Sequence, residues 1–429
     1  MHDIVKNKLN EDITKTTLAN GLEVFIHPKK DYHSKYAIFA TKYGSNDNEF
    51  IGIDGQKHQV PNGIAHFLEH KMFEEPTGNV FNDYSNMGVS VNAYTNYNMT
   101  AYLFSGTKNF FKALERLLDF VQNPYFTDEN VAKEQGIIEQ EIKMYDDQSG
   151  WILQRNLLEC LYKKHPVRID IAGTVESINE ITKEMLYTCY HTFYNPSNMV
   201  LYITGDVDVN KVIEEVTKNQ SKKEFKHLNK LERFYPEEPL EVNCTFDKVK
   251  MPIAVPLMAV GFKDKPLKDP MARFKREMVT NLVNHLVIGK SSSLFNKLYE
   301  QGLITEDFSI GYTGTDTYAY AIYGGPTPDP QKLYEQLMSG FENAKNEGIS
   351  EESFERVKSM FAGMHTISFD NLSMIANRYI SYYLKGIDFY KYNDILNSIT
   401  LKDVNDRLQE WFNKDYHACS VVEPSGNEQ

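Results

Sequence analysis

Polar and apolar positions follow two rhythms along the chain, and they occur in the same order twice. The run VSVNAYTNYNMTAYLF after Gly88 alternates residue by residue, and so does EDFSIGYTGTDTYAYAIY from Glu306. A period of two predicts strands with one buried face. Each run is followed by a segment of helical period, FFKALERLLDFV in the first half and QKLYEQLMSGFENA in the second. Such spacing predicts an amphipathic helix. A turn and a helix start follow, FTDENVAKE and ISEESFERV. Thr127 and Ser350 suit the N-cap, with acids in the first turn of each helix.

The halves also align ahead of these strands. VFNDYSNMG, Val80 to Gly88, lies without gaps on LFNKLYEQG, Leu294 to Gly302, at an offset of 214 residues. The shared order of strand, helix, strands and helices predicts an α+β fold of two similar domains, each an antiparallel sheet covered by helices on one face. A chain of 429 residues also exceeds what a single core usually sustains. The charged, weakly periodic stretch SKKEFKHLNKLERFYPEEPLEV, from Ser221 to Val242, is the linker candidate. It divides the chain into domains 1–233 and 234–429.

Composition changes this picture only at the edges. The chain is 41% hydrophobic and 24% charged, as soluble globular proteins are. A net charge of −13 argues against nucleic acid or an anionic membrane as partner. No apolar run has the length of a signal peptide core or a membrane span. Cys160, Cys189, Cys244 and Cys419 show no paired spacing and read as reduced thiols, which points to a cytoplasmic protein.

The chemistry concentrates in GIAHFLEHKMFEE, from Gly63. As a helix, this segment places Ile64, Ala65, Phe67, Leu68 and Met72 on one side, and His66, Glu69 and His70 within one arc on the other. Two imidazoles at i and i+4 can hold one zinc ion, and a carboxylate beside them can take a proton from water. The bland alternative is a solvated polar face. A third ligand has to come from elsewhere, and DENVAKEQGIIEQEIKMYDDQ offers one. There Glu134 and Glu141, seven apart, border the stripe of Val131, Ile138, Ile142 and Tyr145, while Glu139 points away. A carboxylate beside a core face needs a compensating partner. Spacing alone leaves Glu134 and Glu141 as alternatives.

HFLEH is the inverted zinc motif, and with KYGSNDNE before it and NAYTNYNMTAY after it the sequence resembles the pitrilysin/insulinase family of zinc peptidases. The likeness runs on through KEQGIIEQEIKMYDD, HPVRIDIAGTVESI and FYNPSNMVLYITGDVD. It falls in the small processing-peptidase-like branch, nearest the cytosolic Gram-positive members associated by name with elongation factor P modification. The resemblance implies zinc, one ion per chain, on His66, His70 and Glu141, with Glu69 as general base and Glu134 supporting the site. It also implies that Asn92, Ala93 and Tyr94 lie on an edge strand to which an extended peptide adds, and that each chain forms half of a clamshell admitting unfolded peptides.

The second half lacks this equipment. NLVNHLV contains only His285, and the position matching Glu141, counted from the helix caps, is Met364. Where the family carries a substrate-gripping arginine and, further on, a tyrosine, LYEQGLIT has Tyr299 and Thr305. The resemblance therefore implies a dimer, either of identical chains or a heterodimer with a related chain that lacks the zinc motif and supplies the missing grip. The expected function is a zinc endopeptidase acting on unfolded peptides or on a peptide segment of a precursor. The alternative is a non-catalytic scaffold or peptide-binding subunit.

Overall fold

The computed structural model describes residues 3–5, 11–226, 228 and 231–425. The chain forms two compact α+β units. The first contains Met1–Ile142, Asp170–Phe234 and Thr366–Leu384; the second contains Lys143–Ile169, Tyr235–His365 and Lys385–Gln429. The main crossing falls at the linker expected from the sequence, but the units are not the contiguous halves 1–233 and 234–429. Each half gives one helical segment to the other unit.

The first unit is built on a seven-stranded sheet in the order Asp3–Val5, Ile13–Thr17, Glu23–Pro28, Met199–Gly205, Lys35–Thr41, Thr100–Gly106, Ser90–Thr95. Pairing is antiparallel except between Glu23–Pro28 and Met199–Gly205. Val24, Ile26, Phe39, Phe104, Leu201 and Ile203 face the main core, together with Phe67 and Leu68 and the helix Phe110–Val121. The intervening residues face the helix Leu372–Leu384. The Tyr379 ring lies 4.9 Å from Phe25 and 4.8 Å from Tyr202.

In the second unit the sheet runs Phe246–Met251, His417–Pro424, Leu257–Asp264, Ala319–Pro326, Ser309–Gly314. Its order and its single parallel pair, Phe246–Met251 with His417–Pro424, match those of five strands in the first unit. The helix Ser149–Leu161 packs on His417–Pro424 and Leu257–Asp264. Those strands occupy the places that Met199–Gly205 and Lys35–Thr41 hold under Leu372–Leu384. Strands such as MVLYITG are buried at every residue. Such strands need cover on both faces, so the helices expected on one face are joined by one more on the other.

The repeat read from the sequence recurs in detail. Gly88 and Gly302 end their helices at φ 66° and 67°, the left-handed conformation that favours glycine. Thr127 Oγ1 accepts from Asn130 N at 3.1 Å, and Ser350 Oγ from Ser353 N at 3.3 Å. The helices they cap, Asp128–Asp146 and Glu351–Ile367, bury matching positions: Val131 and Phe354, Glu134 and Val357, Ile142 and His365.

The reading of the cysteines is corrected as well. Cys160 and Cys244 form a disulfide across 84 residues, with Cα atoms 4.6 Å apart, while Cys189 and Cys419 are free and buried. The main chain brings the pair together: Asn243 N and Cys244 N both donate to Cys160 O. Wide separation along the chain hid the pairing, and the argument from unpaired thiols to a cytoplasmic location loses its premise. Among the described residues no helix is long and apolar enough to cross a membrane.

Candidate metal centre

The motif helix, Ile64–Lys71, starts where the chain must pass close to a neighbouring loop. Gly63 has φ 87°, and a Cβ there would lie 2.3 Å from Ala172 O, so only glycine fits. Ile64, Ala65, Phe67 and Leu68 enter the core. The polar face is not solvated either, since His66 is 9% exposed, Glu69 7% and Lys71 0%. Buried groups of this kind require partners.

His66 Nε2 lies 3.7 Å from Glu141 Oε1, and His70 Nε2 lies 3.5 Å from Glu141 Oε2. Ligand atoms of the three residues all fall within 4.8 Å of one another, the one such group among the described residues. Glu134 takes a different place: its Oε1 lies 3.1 Å from His70 Nδ1. The alternatives left by spacing are thus separated, with Glu141 facing both Nε2 atoms and Glu134 behind one ring. Glu139 is not in the group.

Glu69 stands beside the trio, and its Oε2 accepts a 2.6 Å hydrogen bond from Thr95 Oγ1. Thr95 Oγ1 is 3.2 Å from Thr100 Oγ1, which donates to Tyr43 O at 2.9 Å. Lys71 Nζ binds Glu74 and lies 3.5 Å from Glu134 Oε2. A buried ammonium therefore backs the carboxylate that backs His70. Neither Thr95 nor Lys71 was singled out from the sequence. The signal for Lys71 is its position, directly after the second motif histidine and one residue from the core residue Met72.

Electrostatics follow from burial. Burial, and then the charge of His70, push His66 down to about 3, so its ring is neutral. Burial pushes Glu69 up to about 7, partly opposed by the Thr95 hydrogen bond. Burial alone would lower His70, but the Glu134 hydrogen bond and the nearby carboxylate charges raise it.

This donor set fits zinc. Separations of 3.5 and 3.7 Å are too long for hydrogen bonds. They approximate the spacing of tetrahedral ligands held about 2.0–2.2 Å from an ion. Glu134 on His70 Nδ1 leaves Nε2 to face the trio, the outer support that zinc-binding histidines use.

Ser90–Thr95 is the last strand of its sheet, paired only with Thr100–Gly106 among the described residues. Asn92, Ala93 and Tyr94 lie on it opposite Leu103, Tyr102 and Ala101. Thr95 turns toward Glu69, whereas the Tyr94 hydroxyl turns to the other face and donates to Asn377 at 2.7 Å. In the second unit, the His285 ring meets Phe361 edge-on, Val357 stands where Glu134 does, and Met364 is exposed. Tyr299 is 46% exposed and stacks on Phe295.

The model of the insulinase (peptidase family M16) domain matches residues 56–175, and that of the peptidase M16 inactive domain matches residues 180–361. A protein of Bacillus subtilis (strain 168) described as the uncharacterized zinc protease YmfH is 43% identical over 97% of this chain and 98% of its own length. The crystal structure of an M16-like peptidase from Alicyclobacillus acidocaldarius superposes with a TM-score of 0.94 at 40% identity, covering 98% of this chain and all of that one. A protease from Helicobacter pylori, 19% identical, shares the fold over 96% of this chain with a TM-score of 0.83. With its relatives named as zinc proteases, this chain belongs to peptidase family M16, the insulinase/pitrilysin family.

Proposed function

We propose that the chain is the zinc-bearing subunit of an endopeptidase that hydrolyses extended, unfolded peptides or a peptide segment of a precursor. One observation carries this reading: Glu69 is buried beside His66, His70 and Glu141 but outside their cluster, held by Thr95. A structural metal site has no use for a spare carboxylate at that place. Zinc bound by His66, His70 and Glu141 would supply Lewis acidity and bring the pKa of water near neutrality. Glu69 removes a proton from the attacking water as its oxygen adds to the peptide carbonyl carbon. Glu69 then returns that proton to the departing amine nitrogen as the C–N bond breaks. Thr95 holds the Glu69 carboxylate in position. Glu134, backed by Lys71, holds the His70 ring. The substrate pairs as an added strand with the main chain of Asn92, Ala93 and Tyr94, while the Tyr94 hydroxyl is tied to Asn377.

The partner is proposed to be a related chain without the zinc motif. Tyr299 and Thr305, where the resemblance calls for arginine and tyrosine, motivate it. Native mass spectrometry of the chain purified alone, paired with peptide digestion, tests both parts. One zinc per monomer and weak cleavage until the partner is added is the expected outcome. An active homodimer would remove the partner, and a chain that takes up no zinc would sink the enzyme reading in favour of a scaffold.

A further inference from the structure

The helix Glu351–Ile367 exposes apolar side chains where its counterpart in the first half carries the metal ligand. Met360 is 38% exposed, Met364 57% and Ile367 68%, and with the exposed Gly363 they occupy positions i, i+4, i+7 and i+3 of one helical face. Such spacing makes a continuous stripe. Shared caps and shared buried positions fix the register between the two helices. Met360 corresponds to Ile137, Met364 to Glu141 and Ile367 to Met144. The first-half helix repeats the pattern, since Ile137 and Met144 are also exposed, at 45% and 52%, one on each side of Glu141. Solvent-facing helix positions are normally charged. Here two helices of low sequence similarity keep the same pair of positions apolar, and the second adds a methionine where the first has its metal ligand.

We infer that Met360, Gly363, Met364 and Ile367 form a docking strip for an apolar stretch of the extended peptide substrate. This rests on the peptide-handling reading of the first half, whose matching helix face carries Glu141. The stripe spans eight residues, about 10 Å of helix, and three side chains cannot supply the roughly 800 Å² per partner that a stable dimer buries. It matches about three residues of an extended strand. Methionine beside glycine suits variable sequences, because unbranched side chains repack around different apolar partners.

Binding is to be measured in the zinc-loaded full chain bearing Glu69→Gln, so that the probe is not consumed. Two fluorescent extended peptides of equal charge serve as probes, one with Leu and Phe at alternate positions and one with Ser and Thr there. The apolar peptide should bind more tightly. Adding Met360→Gln and Met364→Gln should weaken it about tenfold, leave the polar peptide unchanged, and keep zinc at one per chain. Met364→Leu should retain the affinity. Equal binding of the two peptides, or of the apolar peptide to the double-glutamine variant and its parent, would overturn the inference. So would a change from dimer to monomer with unchanged peptide affinity, which would make the stripe a contact between copies. If the unaltered zinc-loaded chain, with Glu69 in place, leaves both peptides uncut while the Glu69→Gln chain discriminates them through the stripe, the catalytic reading is defeated and the docking strip stands.

Discussion

The Lys71 ammonium, fully buried, lies 3.5 Å from Glu134 Oε2, and Glu134 Oε1 lies 3.1 Å from His70 Nδ1. A cation, a carboxylate and an imidazole thus form a line that ends at the metal trio. Glu134→Gln should lower zinc affinity by about 10- to 100-fold, the usual effect of losing an outer partner of a ligating histidine. Lys71→Met should lower it less, and the double variant should match Glu134→Gln alone, because Lys71 acts through Glu134. Competition with a fluorescent chelator reads this out; additive losses would show that Lys71 acts independently.

Glu69→Gln removes the base but no metal donor. Cleavage should fall by about 10²- to 10⁴-fold, with zinc per chain unchanged by elemental analysis. Survival of the rate would exclude Glu69 as the base.

Thr95→Val takes away the hydrogen bond that orients Glu69. A bond to a charged group contributes about 1.5–3 kcal/mol, so kcat should fall about tenfold or more with KM nearly constant. Thr95→Ser should restore most of it. A KM effect with normal kcat would place Thr95 in binding instead.

The raised pKa of Glu69 also links stability to pH in the metal-free protein. Its folded pKa of about 7 exceeds the ordinary 4.5, so the folded chain holds this proton more tightly than the unfolded chain. The resulting stabilisation is complete below about pH 4.5 and is lost as pH rises through about 7. In chelator-treated protein, Glu69→Gln should therefore be neutral near pH 4 and stabilising near pH 8, by at most about 3 kcal/mol. Calorimetry at the two pH values checks the sign.

The Cys160–Cys244 bridge joins two separate segments of the second unit and closes a long loop of chain that includes Asp170–Phe234 of the first. Replacing both cysteines with alanine should cost about 2–4 kcal/mol while leaving zinc binding by the first unit intact. Denaturant unfolding followed together with zinc content separates the two effects.

Much of the site could be read from the sequence because it is local. His66, Glu69 and His70 share one helical arc, and Glu134 and Glu141 share another, so periodicity alone nominates them. Periodicity does not contain the distance between helices, so it left the two glutamates as alternatives, and it is the resemblance that points to Glu141. Thr95 escaped notice because an alternating strand offers many hydroxyls and only one meets Glu69. The repeat was visible through Gly88 and Gly302, where positive φ constrains the residue type. The disulfide and the exchanged helices were not, since both join segments distant along the chain whose local patterns are ordinary.

The exchange has a consequence for how this polypeptide can be divided. Ser149–Leu161 completes the second unit, and Leu372–Leu384 completes the first. A cut near Phe234 therefore does not release two self-sufficient modules. The N-terminal fragment would leave Phe25 and Tyr202 uncovered, and the C-terminal fragment would lose the cover over His417–Pro424 and Leu257–Asp264. The linker is a poor place for a gene to be split or for two homologues to be recombined. Halves taken from different parents would each have to accept the other's helix, so the two repeats are bound to diverge as one heritable unit.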